Sequence, residues 1–476
     1  MSSPQTNHDP EQIQPTMYSR TKGVNPFVLL FSIIIIFSVL SYIVPAGQYE
    51  RTEQDGRTVI DPNSFQFIES TPVGLLDIFN SIHLGMIEGA PIIFFVLVFG
   101  GALGILNGTG AINAFIQYVP IKFKNKELLL IPIMTLVFAL LGAMIGSAED
   151  ALVYIAIITP LVLALGFDKL TAFAIVFVGM SMGFTAGITN PFNVGVAQTV
   201  AELPTFSGMG LRIILFIALY GATVSYIYLH VMRIKKNPSL GVFGNEAERA
   251  IAGKGTTVEK LTVPHKAILS LLLVTFIIMI YGVISLGWFI TEIASIFLML
   301  SIIASIIVRK RPNEIADHFV SGCADMIKGA LIIGIAYGVL VILEEGNLID
   351  TILYYSANML EGLPPLLSTI GFFAVQSMIN FFVPSGSGQA ALTMPLMTPL
   401  ADMIGVTRQT AVLAFQLGDG VSKVIFPTSA TLMAGLAIAG IPYGRYVRWV
   451  LPLVLINATI GCIFLIVAQI IGYGPY

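Results

Sequence analysis

Residues 146–152 read Gly-Ser-Ala-Glu-Asp-Ala-Leu, and residues 386–392 read Gly-Ser-Gly-Gln-Ala-Ala-Leu. Each stretch interrupts a long apolar region, and each is followed by a Thr-Pro-Leu triplet, at 159–161 and at 398–400. Paired polar interruptions at corresponding places of two hydrophobic halves are typical of transporters whose substrate site lies near the middle of the bilayer. The two stretches therefore predict one site that both halves of the chain build together.

The composition is that of a membrane protein. Of the 476 residues, 56% are hydrophobic and 11% are charged, and the mean hydropathy is +0.87, whereas soluble domains carry about 25% charged residues. Charge-free runs such as 89–121 and 362–401 exceed the roughly 20 residues that a spanning helix needs. We therefore predict an all-α polytopic membrane protein, in which the apolar segment at 28–44 is a retained helix rather than a signal peptide.

Each of the two stretches precedes an apolar segment that contains a proline, within Thr-Asn-Pro-Phe-Asn at 189–193 and within Phe-Pro-Thr-Ser at 426–429. Proline cannot donate a helical hydrogen bond, and exposed backbone groups at membrane depth must be satisfied by protein, water or a ligand. The pattern therefore predicts two re-entrant helical hairpins, each followed by a broken transmembrane helix. The hairpins span 127–166 and 363–405, and the broken helices span 169–201 and 408–440.

The distribution of Lys and Arg predicts how the two halves are oriented, because these residues concentrate on the cytoplasmic side. Arg20 and Lys22 place an N-terminal tail, 1–24, in the cytoplasm, and the basic segment 234–265 is a cytoplasmic linker. The halves on either side of it, 25–233 and 266–476, then run in opposite senses, which is an inverted-topology repeat. The C-terminus is predicted outside, and Arg408 is an exception to the charge rule.

Polar side chains at the tips and breaks are the candidate substrate ligands. Ionisable residues within membrane segments are functional candidates by default, and Glu149 with Asp150 would attract a substrate ammonium or guanidinium, or carry a proton. We expect Ser147, Asn190, Ser387 and Thr428 to converge on one cavity. The full predicted set is Ser147, Glu149, Asp150, Thr189, Asn190, Asn193, Ser385, Ser387, Gln389, Thr428 and Ser429.

Asp419 and Lys423 lie four residues apart before the second proline, and so on one face of a helix. They are predicted to act in coupling or as a mutual ion pair. Lys423 would occupy the place of a bound monovalent cation, hold a substrate carboxylate, or only neutralise Asp419. Glu88 and Lys328, at corresponding places before two apolar helices, are interpreted as interfacial anchors.

The order of the Gly-Ser-x-Glu-Asp tip at 146–150, the Asn-Pro-Phe-Asn break at 190–193 and the Pro-Ser-Gly-Ser-Gly tip at 384–388 resembles the YfcC/DcuC-like family of the ion transporter superfamily. The resemblance extends over about 26–471. It implies a homodimer in which a transport domain moves against a scaffold, the elevator mechanism. The YfcC-type branch exchanges basic amino acids such as arginine and ornithine, and Glu149-Asp150 is similar to its acidic tip. Asp419 and Lys423 differ from that branch, in which the two positions are uncharged. The difference concerns both the substrate and its coupling to sodium.

These features favour a secondary active transporter of a bacterial cytoplasmic membrane, with a basic amino acid as substrate. An ion-coupled carrier of dicarboxylates or short peptides is the alternative, and a channel is a second one, although a channel needs a continuous polar pore. The chain carries no phosphate-binding Gly-x-x-x-x-Gly-Lys loop, so neither catalysis nor an ATPase partner is implied. We expect no cofactor, metal site or nucleic-acid partner, and coupling to Na⁺, H⁺ or a counter-solute. The histidines show no metal-ligand spacing: His8, His83, His230, His265 and His318.

Overall fold

A computed structural model describes residues 25–54, 57–61, 63–122, 126–146, 148–237, 261–286, 288, 290–360 and 362–474. The predicted N-terminal tail, most of the predicted linker and Ser147 lie outside the described residues. Within them, eight helices are long and apolar enough to cross a membrane. The prediction of a mostly helical, multi-pass membrane protein is therefore confirmed.

Helices account for most of the described chain. In the first half they are Pro26–Leu40, Leu75–Glu88, Ala90–Gly108, Ala111–Lys122, Glu127–Met144, Asp150–Ala164, Lys169–Phe173, Gly179–Ala186, Val196–Val200 and Met209–Lys236, with π-helical turns at Ala174–Val178 and Pro191–Gly195. In the second half they are Val263–Leu286, Ile290–Ile307, Pro312–Glu345, Leu348–Asn358, Pro365–Phe382, Gly386–Met403, Arg408–Lys423, Ala430–Ala439 and Tyr443–Ile470. We call residues 145–149 the first tip, 383–387 the second tip, 187–193 the first break and 424–429 the second break.

Polar side chains start the helices at the breaks and at the second tip. The Asn190 side chain accepts hydrogen bonds at the start of Pro191–Gly195, Ser385 does so for Gly386–Met403, and Ser429 does so for Ala430–Ala439. Such caps satisfy backbone N–H groups that have no partner within the helix. The same residue types that predict interruptions in an apolar segment therefore build the ends of the interrupted helices.

The helices form two bundles. The first is organised around the 34-residue helix Pro312–Glu345, the long helix, which packs against Leu75–Glu88 and Ala90–Gly108. Glycines allow this close packing, because a Cβ atom at Gly85 or Gly104 would overlap the backbone of the long helix. Pro26–Leu40 and Ile290–Ile307 complete the core of this first bundle.

The second bundle contains both tips and the first break. Within it Glu127–Met144 packs on Gly179–Ala186, Pro365–Phe382 packs on Arg408–Lys423, and Asp150–Ala164 packs on Lys169–Phe173. Met209–Lys236 and Tyr443–Ile470 cover its outer face with exposed apolar side chains such as Ile213, Ile217 and Leu455, as a lipid-facing surface requires. Ala430–Ala439 lies between the bundles, against the long helix and Asp150–Ala164.

A loop at 46–72, the strand loop, folds on one face of the protein, the loop side. Strand Gly47–Gln48 pairs with Gln66–Phe67, and Arg51–Gln54 pairs with Arg57–Ile60. The Arg51 guanidinium donates two hydrogen bonds of 2.9 and 2.8 Å to the buried Asp350 carboxylate. The all-α prediction is wrong here, because these pairs of two to four residues are too short to leave a periodic pattern in the sequence.

Arg408, the exception to the charge rule, is neutralised locally. Its guanidinium lies 2.8 Å from Asp402 and 2.7 Å from Glu202, and it also donates to the carbonyl of Ala201. Two carboxylates therefore offset the positive charge that would otherwise argue against an external position.

Candidate substrate-binding site

Both tips meet at the first break. Gly146 of the first tip has a φ of +74°, a conformation that favours glycine, and a Cβ atom there would overlap the side chain of Asn190. A Cβ atom at Gly386 of the second tip would overlap the side chain of Asn193. Two asparagines three residues apart therefore support one tip each.

The two asparagines also hold the break itself. Asn190 Oδ1 accepts hydrogen bonds from the backbone N–H groups of Phe192 and Asn193, at 3.1 Å each. Asn193 Nδ2 donates to Asp419 Oδ2 in the second half of the chain. Both side chains are buried, so this short segment joins elements that are far apart in sequence.

Asp419 is a buried carboxylate with three partners. Besides Asn193, Asn380 Nδ2 donates to its Oδ1 at 2.5 Å, and Lys423 Nζ lies 3.3 Å from the same oxygen. A buried carboxylate is tolerated when charge-assisted hydrogen bonds replace its hydration. Asp419 and Lys423 thus form an ion pair across one turn of helix, but two amides bind the carboxylate as well.

The amides around Asp419 belong to a wider buried network. Asn380 Nδ2 also donates to Gln389 at 2.9 Å, and Ser422 Oγ donates to Asn380 Oδ1 at 3.0 Å. Gln389 Nε2 in turn donates to both the side chain and the carbonyl of Gln376, at 2.8 Å each. The network fixes the second tip against Arg408–Lys423, because Gln389 lies in the first turn of the helix that follows that tip.

Lys423 connects this network to the central cavity. Its ammonium nitrogen lies 4.6 Å from the centre of the Phe184 ring, within the range of a cation–π contact. On one side the ammonium nitrogen lies 3.3 Å from the Asp419 carboxylate. Lys423 also lines the central cavity. Its charge is therefore available to a molecule in that cavity.

The central cavity has a volume of about 270 Å³ and lies between the two bundles. Both tips and both breaks line it, together with the long helix and Glu88. The lining residues that matter below are Gly146, Glu149, Phe184, Asn193, Ser385, Gly386, Ser387, Lys423, Thr428, Ile290, Tyr337, Leu340 and Glu88. Thr428 Oγ1 is buried in the cavity wall with no hydrogen-bond partner in the described part of the chain, whereas buried polar groups are usually paired.

A second cavity, of about 580 Å³, adjoins the first on the loop side, and we call it the vestibule. The two share Glu88, Tyr337, Leu340 and Ser385, and the vestibule extends to Arg51 and other residues at the base of the strand loop. The central cavity therefore communicates with the loop side in this structure.

The predicted site residues divide into two groups. Those that line the central cavity are Glu149, Asn193, Ser385, Ser387, Thr428 and Lys423. Those that lie in the surrounding framework are Asp150, Thr189, Asn190, Gln389, Asp419 and Ser429. Of the four residues expected to converge on one cavity, Ser387 and Thr428 line it, Asn190 supports a tip behind it, and Ser147 lies outside the described residues.

Several residues of the site were not among the predicted ligands. Glu88, interpreted from the sequence as an interfacial anchor, lines both cavities, whereas Lys328 lines neither. Gln376 and Asn380 belong to the buried network around Asp419. The sequence could have indicated them as site residues, because two amides one turn apart in an apolar span are costly unless they have a function. Tyr337 carried no such signal, because a tyrosine within a spanning helix is common at either interface.

Comparison with known proteins identifies the family of the chain. The sequence profile of the family described as C4-dicarboxylate anaerobic carrier, DcuC, matches residues 25–470. The chain is 34% identical to the Escherichia coli (strain K12) protein named "Putative basic amino acid antiporter YfcC", over 94% of this chain and 96% of that one. It is 29% identical to an uncharacterized protein of Haemophilus influenzae, over 93% and 96%.

The YdaH transporter of Alcanivorax borkumensis is one solved structure that resembles the fold, with a TM-score of 0.42 and 14% identity over 95% of this chain and 100% of that chain. The full-length family match and the YfcC relative confirm the resemblance that the tips and breaks predict. The chain belongs to the DcuC family of membrane transporters.

Proposed function

We propose that the protein is a secondary active transporter that exchanges a basic amino acid, such as arginine or ornithine, across a bacterial cytoplasmic membrane. The observation that carries this proposal is the charge of the cavity. Its described lining contains two carboxylates, Glu88 and Glu149, and one ammonium, Lys423. A net negative cavity attracts a solute with a positive charge and repels one with a negative charge.

The two signs of charge suit the two ends of a basic amino acid. Lys423 and the N-terminus of Gly386–Met403 provide positive charge for the α-carboxylate, since helix N-termini favour anions. Glu149 provides negative charge for the cationic side chain. Ser385, Ser387 and Thr428 supply hydroxyl groups for the remaining polar atoms.

The arrangement of the bundles supports alternating access by an elevator-type movement. The first bundle contributes Glu88 and Tyr337 to the cavity, and the second contributes the tips. In this proposal the second bundle, with its two re-entrant hairpins related by inverted repeats, carries the site past a dimeric first bundle. The two bundles would slide past each other along the helix Ala430–Ala439, which lies between them. The cytoplasmic N-terminus and external C-terminus belong to the same proposal.

A dicarboxylate carrier is the runner-up, favoured by Lys423 and by the family's description as a C4-dicarboxylate carrier. A C4-dicarboxylate would enter a cavity in which carboxylates outnumber the ammonium. Like charges that are partly desolvated repel by several kcal/mol, so we favour the cationic substrate. Coupling to Na⁺ or H⁺ and a channel are further outcomes of the experiment below. A carrier of short peptides is tested by adding a labelled dipeptide to that experiment.

Counterflow in proteoliposomes tests the proposal. Vesicles loaded with unlabelled arginine, ornithine or succinate are diluted into labelled arginine or labelled succinate, with and without Na⁺ and a pH gradient. We expect transient accumulation of labelled arginine driven by internal arginine or ornithine. Accumulation of succinate alone would establish the dicarboxylate carrier instead, and flux without counterflow would establish a channel.

Glu149→Gln gives the test its residue-level form. Since a hydrogen bond to a charged group contributes about 1.5–3 kcal/mol, we expect arginine affinity to fall about 10- to 100-fold. Glu345→Gln is the matched control, because Glu345 lies at the end of the long helix and lines neither cavity. Unchanged arginine exchange in Glu149→Gln would remove Glu149 from the site.

A further inference from the structure

We propose that Glu88 makes the affinity for the cationic substrate different on the two sides of the membrane. This inference rests on the proposed function. Glu88 and Glu149 line the same cavity, but Glu88 ends a helix of the first bundle and Glu149 precedes a helix of the second. The substrate cation therefore lies between one carboxylate from each bundle.

Glu88 is fixed to the first bundle by close backbone packing. One turn before it, a Cβ atom at Gly85 would overlap the backbone at Gly334 and Gly338 of the long helix. One residue after it, a Cβ atom at Gly89 would lie 3.0 Å from the ring of Tyr337. Helices in such contact move together, so Glu88 stays with the long helix when the second bundle moves.

Glu88 is accessible to a solute in both cavities. Its side chain is exposed, and it lines the central cavity as well as the vestibule. Among the residues that the structure describes, no Lys or Arg forms an ion pair with it. Its carboxylate can therefore pair with a cation that enters from the loop side.

The wall of the same cavity also holds a buried polar group. The Thr428 hydroxyl, 1% exposed, lies in its wall without a hydrogen-bond partner among the described residues. Glu88 also lines the vestibule, together with Glu344 and with Asp350, which is paired with Arg51, so a cation arriving from the loop side meets Glu88 before Glu149.

The consequence follows from which parts move. When the second bundle carries the substrate to the opposite side, Glu149, Lys423 and both tips travel with it, whereas Glu88 remains. The cation then has two carboxylates on the loop side and one on the opposite side. Affinity is accordingly higher on the loop side, and Glu88 is a specificity-determining residue for one of the two access states.

Half-saturation concentrations measured from each side test this inference. Asn63→Cys in the exposed part of the strand loop, labelled with a membrane-impermeant maleimide, reports which side faces the bath in oriented proteoliposomes. For Glu88→Gln we expect the half-saturation concentration of arginine to rise about tenfold on the loop side, since about 1.4 kcal/mol corresponds to tenfold, with no change on the opposite side. For Glu149→Gln we expect a rise on both sides.

The opposite-side value of Glu88→Gln is also the control for folding, and Glu345→Gln should match the wild type on both sides. An equal rise on both sides, or no rise on either, would overturn the role of Glu88 and leave arginine exchange standing. Absence of arginine counterflow in the wild-type protein would overturn the proposed function and this inference together.

Discussion

The site depends on one buried carboxylate more than on any other single group. Asp419 binds Asn193 from the first half, Asn380 from helix Pro365–Phe382 and Lys423 from its own helix. Because two neutral amides also donate hydrogen bonds to the carboxylate, Lys423 is not the sole partner of Asp419. The residue is therefore part of the framework, and Lys423 is the member of the pair that reaches the cavity.

Single substitutions of the pair should differ in stability. In Lys423→Met the carboxylate keeps both amide donors, so we expect a modest loss, about 1–2 kcal/mol. In Asp419→Asn the new amide group confronts the Asn193 and Asn380 donors and leaves Lys423 without its counter-charge, so we expect about 3–5 kcal/mol. Melting temperatures in detergent, measured by tryptophan fluorescence, should rank wild type above Lys423→Met above Asp419→Asn.

Counterflow on the same variants separates the roles of Lys423. If Lys423 holds the substrate carboxylate, Lys423→Met should lose arginine but keep measurable affinity for agmatine, which has no carboxylate. If it replaces a cation, the variant should become sodium-dependent. Full rescue of transport in the double variant Asp419→Asn/Lys423→Met would reduce Lys423 to a structural partner of Asp419.

At the scale of elements, the tips are placed by contacts that tolerate no side chain. Gly146 combines a φ of +74° with contact to Asn190. Gly166, at the other end of Asp150–Ala164, has a similar φ of +86° but nothing within 4 Å of a Cβ position. Substitutions at Gly146 and Gly166 therefore separate two contributions to the loss of stability. Both would strain the backbone, but only a side chain at Gly146 would displace Asn190.

We therefore predict unequal effects of two alanine substitutions. Gly166→Ala should lower stability only by the cost of a left-handed residue, about 1–2 kcal/mol, with transport retained. Gly146→Ala should cost more and should abolish exchange, because Asn190 can no longer support the tip. Thermal melting and counterflow measure both; equal transport by the two variants would show that the contact between Gly146 and Asn190 has no functional weight.

The sequence was most informative about elements with strong local signals. Proline, glycine and capping residues at 189–193 and 385–388 are readable because they interrupt otherwise uniform apolar helices. The sequence did not show which of the neighbours Glu149 and Asp150 faces the cavity. Their side chains point about 100° apart around a helix, but the sequence does not give the rotation of that helix. In the structure Glu149 lines the cavity and Asp150 does not. The sequence did not show that Glu88 lines the cavity, because that position depends on packing between helices whose separation in sequence exceeds two hundred residues.

At the scale of the whole molecule, two bundles that share a cavity should move relative to each other. The contact between Ala430–Ala439 and the long helix offers a direct test, because a Cβ atom at Gly329 would lie 3.4 Å from Cγ1 of Ile438. That spacing places two cysteines near disulfide geometry. Within the second bundle, Gly461 and Leu417 offer a comparable pair, because a Cβ atom at Gly461 would lie 3.2 Å from Cδ2 of Leu417.

Cross-linking Gly329→Cys to Ile438→Cys, with Cys323 and Cys462 replaced by alanine, should stop exchange while arginine binding persists. Reduction should restore exchange. The control cross-link Gly461→Cys to Leu417→Cys should leave exchange intact, since both positions belong to one bundle. Full exchange by the oxidised Gly329–Ile438 pair would show that no movement occurs along this contact, and an elevator movement would be excluded.

The three-residue spacing of Asn190 and Asn193 also limits how new substrate preferences can arise by mutation. One short segment supports both tips and, through Asn193, Asp419, so a change there disturbs both tips at once. Ile290 and Tyr337 line the cavity from the first bundle and support neither tip. Saturation libraries at 290 and 337 should therefore yield transporters with altered preference more often than libraries at 190 and 193, which should yield mainly inactive protein.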